Sequence, residues 1–350
     1  MHLPARSIEI EGYRGFKHFE ANGFERVNLI VGENNAGKTA LLEALEIGLT
    51  NGHPARLFLQ SIRRQEFYSP TSAIEAAAFE AGTQLYDVRQ MFHGRQIADA
   101  ATLGIGVLGQ GASAPRGLAL KSNGMHLNAK TVWRVPLIER AAVAHGEVVQ
   151  AARAAGVEPA NVRSIDTTRV SAVSAAKMWT QFVQPNRHEP AVAAALRIID
   201  RSVEDVICQD TEGHLGGSSF LVGLAEPRFR VPVGSLGEGF GRMLGLAICA
   251  VAARGGALLV DEIDTGLHHT VHEPFWRWLV ESARAETTGF QIFATTHSED
   301  CVRGLAKVAE ESALAAQDIA IHRIDAGAAT TVRSSGRDLA MAVETGAEVR

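Results

Sequence analysis

The most specific chemistry in the chain lies in eight consecutive residues, Gly32-Glu33-Asn34-Asn35-Ala36-Gly37-Lys38-Thr39, which fit the spacing GxxxxGK[ST] of a phosphate-cradling loop. Glycines let successive backbone N–H groups converge on phosphate oxygens, and a helix opening at Lys38 adds a dipole that favours anions. The Lys38 ammonium would bridge the terminal phosphates of a nucleotide, and the Thr39 hydroxyl would ligate Mg²⁺. Far downstream, Ala257-Leu258-Leu259-Val260 is an apolar run ending in two carboxylates, Asp261 and Glu262. Delivered to the same edge of a sheet, Asp261 would complete the metal shell and Glu262 would orient or deprotonate an attacking water. Gln291-Ile292-Phe293-Ala294 is a second apolar run, ending in Thr295-Thr296-His297-Ser298. Ligands on parallel sheets sit at the carboxyl ends of strands, so His297 is a candidate sensor of the terminal phosphate. The Asp-Glu pair points to hydrolysis of ATP rather than phosphoryl transfer to a small acceptor.

These residues need strands and helices to aim them. Val27-Asn28-Leu29-Ile30-Val31 reads as a short buried parallel strand leading into the loop. Leu41, Leu42, Leu45 and Leu49 then fall on one helical face, closed by Asn51-Gly52. Before the loop, Ile8 and Ile10 alternate with polar residues up to Gly12, predicting a strand, and a turn follows at Tyr13-Arg14-Gly15-Phe16. Short strands are expected over 103–108, 117–120 and 131–135. Helices are expected over 138–156 and from Ser174, and again after Pro190, where Val192, Leu196, Ile199, Val203 and Val206 recur at helical spacing. The tail predicts a hairpin, Ile319–Ile324 with Thr330–Arg333, and a last helix near Arg337–Glu344.

Composition bounds the rest. The chain has 350 residues, 46% of them hydrophobic, and 34 Lys+Arg against 39 Asp+Glu give a net charge of −5. Bulk electrostatic coating of nucleic acid is excluded, whereas a local basic stripe is not. Three isolated cysteines, Cys208, Cys249 and Cys301, read as reduced thiols of a cytoplasmic protein. The start lacks the apolar core of a signal peptide, and the longest apolar run, Met243 to Ala253, falls short of the ~20 residues of a membrane span. His268, His269, His272 and Glu273 lack the order of a zinc motif, and the Arg63-Arg64 pair is read as surface charge.

In order and spacing these motifs resemble the ABC-type ATPase heads shared by RecF, SMC proteins and the OLD (overcoming lysogenisation defect) ATPases, most closely the OLD type, over nearly the whole chain. The segment Ile8–Phe16 resembles that family's opening strand and turn, with Tyr13 in the usual Phe place, and Ser235-Leu236-Gly237-Glu238-Gly239 resembles its signature. Asp261–His268 resembles the metal-binding strand running into the D-loop, and Ala294–Ser298 the switch-histidine segment. The resemblance implies an α/β P-loop NTPase, an ABC-ATPase head with an N-terminal β subdomain and a short helical insert at about 138–206, all one domain over 1–350. It further implies ATP and Mg²⁺ as cofactors and a head-to-tail dimer or higher homo-oligomer. In such an assembly Ser235 and Gly237 of one protomer cap the nucleotide held by the other, and Arg14 approaches the nucleotide from its turn. Gln90, a weaker match to the glutamine loop, is set aside. Long arms for DNA are not expected, since the insert is short, and a TOPRIM nuclease domain is not expected, since the sequence stops at Arg350. The implied partner is a separately encoded effector, such as a TOPRIM-type nuclease of an anti-phage system. A RecF-like DNA-binding repair protein is the alternative.

Overall fold

The computed structural model describes residues 2–69, 83–98, 100–129, 133–138, 140–156, 161–167, 170–211, 217–225, 229–285 and 289–345. The chain opens with β1 (Ser7–Tyr13), β2 (Phe16–Asn22) and β3 (Val27–Val31), then α1 (Lys38–Leu49) and α2 (Pro54–Arg63). Short strands follow: β4 (Leu85–Asp87), β5 (Thr102–Leu108), β6 (Arg116–Ser122), β7 (His126–Ala129), β8 (Arg134–Pro136) and β9 (Ala142–Ala144). The middle of the chain supplies α3 (His145–Ala155), β10 (Val162–Ile165), α4 (Ala172–Met178), α5 (Glu189–Leu196), β11 (Val203–Thr211), β12 (Gly217–Leu224) and β13 (Phe229–Pro232). The last part carries α6 (Glu238–Ala252), β14 (Ala257–Val260), α7 (His272–Arg284), β15 (Gln291–Thr295) and α8 (Glu299–Glu311). It closes with α9 (Ala313–Gln317), β16 (Ile319–Arg323), β17 (Val332–Ser335) and α10 (Gly336–Thr345).

The central sheet has the order β10-β14-β15-β3-β16-β17. Its first five strands run parallel, and β17 closes the edge antiparallel to β16. Alternate residues of the middle strands feed two separate cores. Val27, Leu29, Leu258, Val260, Ile292 and Ala294 pack with α6, α7 and α8 on one face. Ile30, Leu259 and Phe293 pack with α1 and the N-terminal strands on the other. Burial on both faces is why these strands read as continuous apolar runs. Asn28, a polar residue within β3, is wholly buried, and its amide donates to the carbonyls of Glu25 and Ile292.

The N-terminal lobe is an antiparallel sheet in the order β2-β1-β5-β6-β7-β8, as the alternation at Ile8 and Ile10 requires. Of the strand expected over 131–135, β8 begins at Arg134, and residues 131 and 132 lie outside the described residues. The tail forms the expected hairpin and final helix. Among the described residues, no helix is long and apolar enough to cross a membrane.

Two expectations in the middle of the chain are corrected. The 138–206 segment is not an all-helical insert, because Val162–Ile165 enters the central sheet beside β14. Polar Arg163 and Ser164 hid that edge strand. The helical stripe ends at Leu196, and Val203 and Val206 belong to β11. A bulge between Val203 and Asp205 turns both valines inward, imitating an i, i+3 helical pair.

Candidate functional site

The phosphate loop leaves the carboxyl end of β3, in the middle of the parallel sheet. Gly32 sits at φ 142°, and a Cβ there would lie 2.3 Å from the Ile324 carbonyl oxygen. No other residue type allows the loop to pass that close to the end of β16. At the head of α1, the Lys38 ammonium folds back and donates to the Gly32 and Glu33 carbonyls, both at 2.8 Å. Burial pushes its pKa below the ordinary lysine value, and the Asp261 and Glu262 carboxylates pull the other way.

Parallel pairing carries the acidic pair to the same edge. The Asp261 amide donates to the Ile165 carbonyl at 2.8 Å as β14 leaves the sheet. Thr39 Oγ1 donates to the Asp261 carboxylate at 3.0 Å, so loop helix and acidic strand meet at the expected place. Thr295, at the end of β15, donates to Asp261 Oδ1 at 2.6 Å and accepts from the Glu262 amide at 2.8 Å. Glu262 lies in left-handed backbone, φ 46°, a conformation that costs a non-glycine residue about 1–3 kcal/mol and persists only where its surroundings fix it. Its carboxylate accepts from Thr265 Oγ1 at 3.3 Å. Thr296 Oγ1 donates to Asp264 Oδ1 at 2.5 Å, tying the turn after Glu262 to the strand end that carries His297.

Lys38, Thr39, Asp261, Glu262 and His297 all line one cleft of about 950 Å³, together with Asn35, Ala36 and Gly37. A hydroxyl and a carboxylate in contact, beside a lysine and an anion-binding loop, fit Mg²⁺ held with a nucleotide. The hard cation takes few protein oxygens and completes its shell with water and phosphate. Thr39 and Asp261 would hold it, and bound there it would neutralise charge on the terminal phosphates.

Other expected residues lie differently. Arg14, in left-handed backbone at φ 49°, lines the cleft wall, but its guanidinium is bound by two acids. Nε pairs with Glu43 at 2.5 Å and Nη1 with Glu66 at 2.7 Å. It therefore buttresses the wall rather than reaching toward the loop. Tyr13, in the usual Phe place, donates its hydroxyl to Glu43 at 3.0 Å and belongs to the same cluster. Gln90, set aside from the sequence, lines the cleft too. Ser235 and Gly237 do not line it. Ser235 is exposed in a single turn, and Gly237, φ 97°, caps the start of α6.

The Arg63-Arg64 pair is not free surface charge. Arg63 Nη1 pairs with Glu46 at 2.7 Å and Arg64 Nε with Glu43 at 2.6 Å, because α1 buries two carboxylates that need counter-charges. Glu43 and Glu46 were missed in the sequence, although two acids on an otherwise apolar helix were the available signal. Thr295 was likewise legible only as a polar strand end.

Comparison with known proteins agrees with this fold. The AAA ATPase domain family matches residues 5–85, and the family described as "AAA domain, putative AbiEii toxin, Type IV TA system" matches residues 220–300. A Helicobacter pylori ATP/GTP phosphatase is 22% identical over 346 residues, covering 89% of this chain and 90% of the relative. The Smc head domain with an extended coiled coil from Pyrococcus furiosus, solved with the C-terminal domain of ScpA, superposes with a TM-score of 0.52. It is 12% identical and the match covers 99% of each chain. A second Smc head, bound to the C-winged helix domain of ScpA, gives 0.50 at 14% identity, covering 95% of this chain and 98% of the other. The fold is that of an SMC-type P-loop ATPase head. The first match spans the cleft residues Lys38 and Thr39, and the second spans Asp261, Glu262 and His297 together with Ser235 and Gly237 outside the cleft.

Proposed function

We propose that this chain binds and hydrolyses ATP with Mg²⁺ as a conformational switch, and that two protomers sandwich the nucleotide. The observation that carries the reading is the contact chain Thr39–Asp261–Thr295–Glu262 beside Lys38 at one edge of the parallel sheet. Lys38 and the N–H groups of Gly32 to Thr39 bind the phosphates, and Thr39 with Asp261 holds the metal. Glu262 takes a proton from the attacking water, and His297 contacts the terminal phosphate from the strand end. Ser235 and Gly237 act in trans, where the N-terminus of α6 offers N–H groups and a favourable dipole to the partner's nucleotide.

The switch works in the cytoplasm on a separately encoded effector, a TOPRIM-type nuclease in an anti-phage module of OLD type. Docking of a partner protein on such a head has a parallel in the Smc heads solved with ScpA domains.

The Glu262→Gln chain tests the reading. It is expected to bind ATP with unchanged affinity, lose turnover by about 10²–10⁴-fold, and accumulate as a dimer in light scattering. A variant that stays monomeric in saturating Mg-ATP would sink the composite site. Affinity purification of the trapped dimer from its host then identifies the output. Recovery of a nuclease supports the effector reading, whereas salt-sensitive retention of duplex DNA would favour a RecF-like repair role.

A further inference from the structure

One arginine outside the cleft touches the backbone of the acidic pair. Arg242 lies in the second turn of α6, between Gly237 and the apolar run that ends at Ala253, and only 4% of it is exposed. Its Nη1 donates to the Asp166 carbonyl at 2.7 Å. Its Nη2 donates to the carbonyls of Asp261 at 3.1 Å and Glu262 at 3.2 Å. All three acceptors lie where β10 and β14 leave the sheet, beyond the reach of ladder partners. A planar guanidinium is suited to such divergent carbonyls because its donors sit in a fixed fork.

The contact is part of a tighter packing. A Cβ on Gly239, in the first turn of α6, would lie 3.1 Å from the Gly266 carbonyl oxygen. A Cβ on Gly266 would meet Glu238 Cγ at 3.4 Å and Arg242 Cβ at 3.7 Å. The start of α6 and the turn after Glu262 are therefore packed closely against each other. Glu262 is fixed in left-handed backbone from two sides, with its amide on Thr295 and its carbonyl on Arg242.

We propose that Arg242 is a positioning residue for Glu262, tying the end of α6 that bears Ser235 and Gly237 to the backbone of the hydrolytic carboxylate in the same protomer. Docking of the partner's nucleotide on Ser235 then reaches the base of the opposite site through one side chain, so each site fires only when its protomer is engaged at both faces. The proposal rests on Glu262 being the base.

The test compares wild type, Arg242→Met, Arg242→Lys and a control, Arg197→Met, at an exposed arginine with similar backbone contacts. Arg197 likewise donates to two backbone carbonyls, those of Val203 and Glu204, but it lines no part of the cleft. Steady-state hydrolysis and binding of a fluorescent ATP analogue are measured on each. Arg242→Met is expected to lower kcat by about 10²-fold, as a small misplacement of a reacting group does, with KM and analogue affinity within about twofold. Arg242→Lys, which keeps the charge and some of the donors, is expected to recover part of kcat, and Arg197→Met to leave it unchanged. An active wild type whose Arg242→Met and Arg242→Lys variants both turn over within about threefold of it overturns the proposal alone. Parallel losses in kcat and affinity at Arg242 and Arg197 overturn it as well, since a purely structural role does that. If Arg242→Met does not fold, the Arg242→Lys split between kcat and KM decides. A wild type without ATPase activity overturns the reading of Glu262 itself.

Discussion

Thr295 gives its hydroxyl proton to Asp261 at 2.6 Å while the same oxygen accepts the amide of Glu262 at 2.8 Å. One wholly buried side chain thereby sets both acidic residues, the carboxylate of the first and the backbone of the second. Thr295→Val keeps the shape but leaves a buried amide without an acceptor, a loss of about 1–3 kcal/mol in stability. Turnover should fall at least as much as stability predicts, with a raised Mg²⁺ requirement, while Thr295→Ser restores both. Mg²⁺ titrations of ATPase rate on the two variants check this, and equal rates for valine and serine would count against it.

Lys38 donates to the Gly32 and Glu33 carbonyls, contacts that it would exchange for phosphate in the proposed nucleotide complex. Lys38→Ala should abolish binding of a fluorescent ATP analogue. Because burial depresses the pKa of the amine, the charged form is lost at lower pH than for an ordinary lysine. Wild-type affinity should therefore weaken on the alkaline side before that range is reached. Unchanged affinity in Lys38→Ala would remove this loop from the site.

The two acids of α1 predict where stability resides. Glu46 is buried against Arg63 at 2.7 Å and Arg56 at 3.2 Å. Burial would raise its pKa, but those charges and the Gln60 hydrogen bond outweigh it and hold the carboxyl below its usual range. A depressed folded-state pKa contributes stability at neutral pH that is lost as pH falls through the carboxylate range. Glu46→Ala strands two arginines and should cost about 3–5 kcal/mol by urea denaturation at pH 7, more than Glu46→Gln. A loss below 1 kcal/mol, on the order of a surface pair, would show the network is not needed.

His322 gives a second pH signature of opposite chemistry. It is buried against the Phe24 ring, 4.8 Å between centroids, and burial with the nearby Arg333 charge pushes its pKa down to about 3. The folded chain keeps this imidazole neutral, whereas the unfolded chain protonates it near pH 6.5. Its contribution is whole above that pH and drains away toward pH 3, by about 1.4 kcal/mol per unit. Urea midpoints at pH 7 and pH 5 for wild type and His322→Gln should converge in acid; parallel slopes would rule the histidine out.

What the sequence disclosed follows from how each residue does its work. Lys38, Thr39, Asp261 and Glu262 sit at strand ends and in a loop whose local grammar is short, so spacing alone was enough to single out residues that line one cleft. The apolar runs at β3, β14 and β15 were legible because burial on both faces leaves few polar interruptions, Asn28 among them. Arg242 and Glu46 were not, since a charge inside an apolar helix declares a buried partner without naming it. Their partners are backbone carbonyls and arginines distant in sequence. The strand at Val162–Ile165 was hidden because its Ser164 donates to Glu46 at 2.8 Å and so looks polar in the line of text.

The placement of β3 between β15 and β16 orders events during synthesis. The loop sequence leaves the ribosome well before the two strands that flank it, Gln291–Thr295 and Ile319–Arg323. Pairings of such long sequence separation close slowly and late. Until those strands are made, a nascent chain carries the loop of Gly32–Thr39 without the neighbours that shape it. The cleft therefore takes shape only after β15 and β16 have been made.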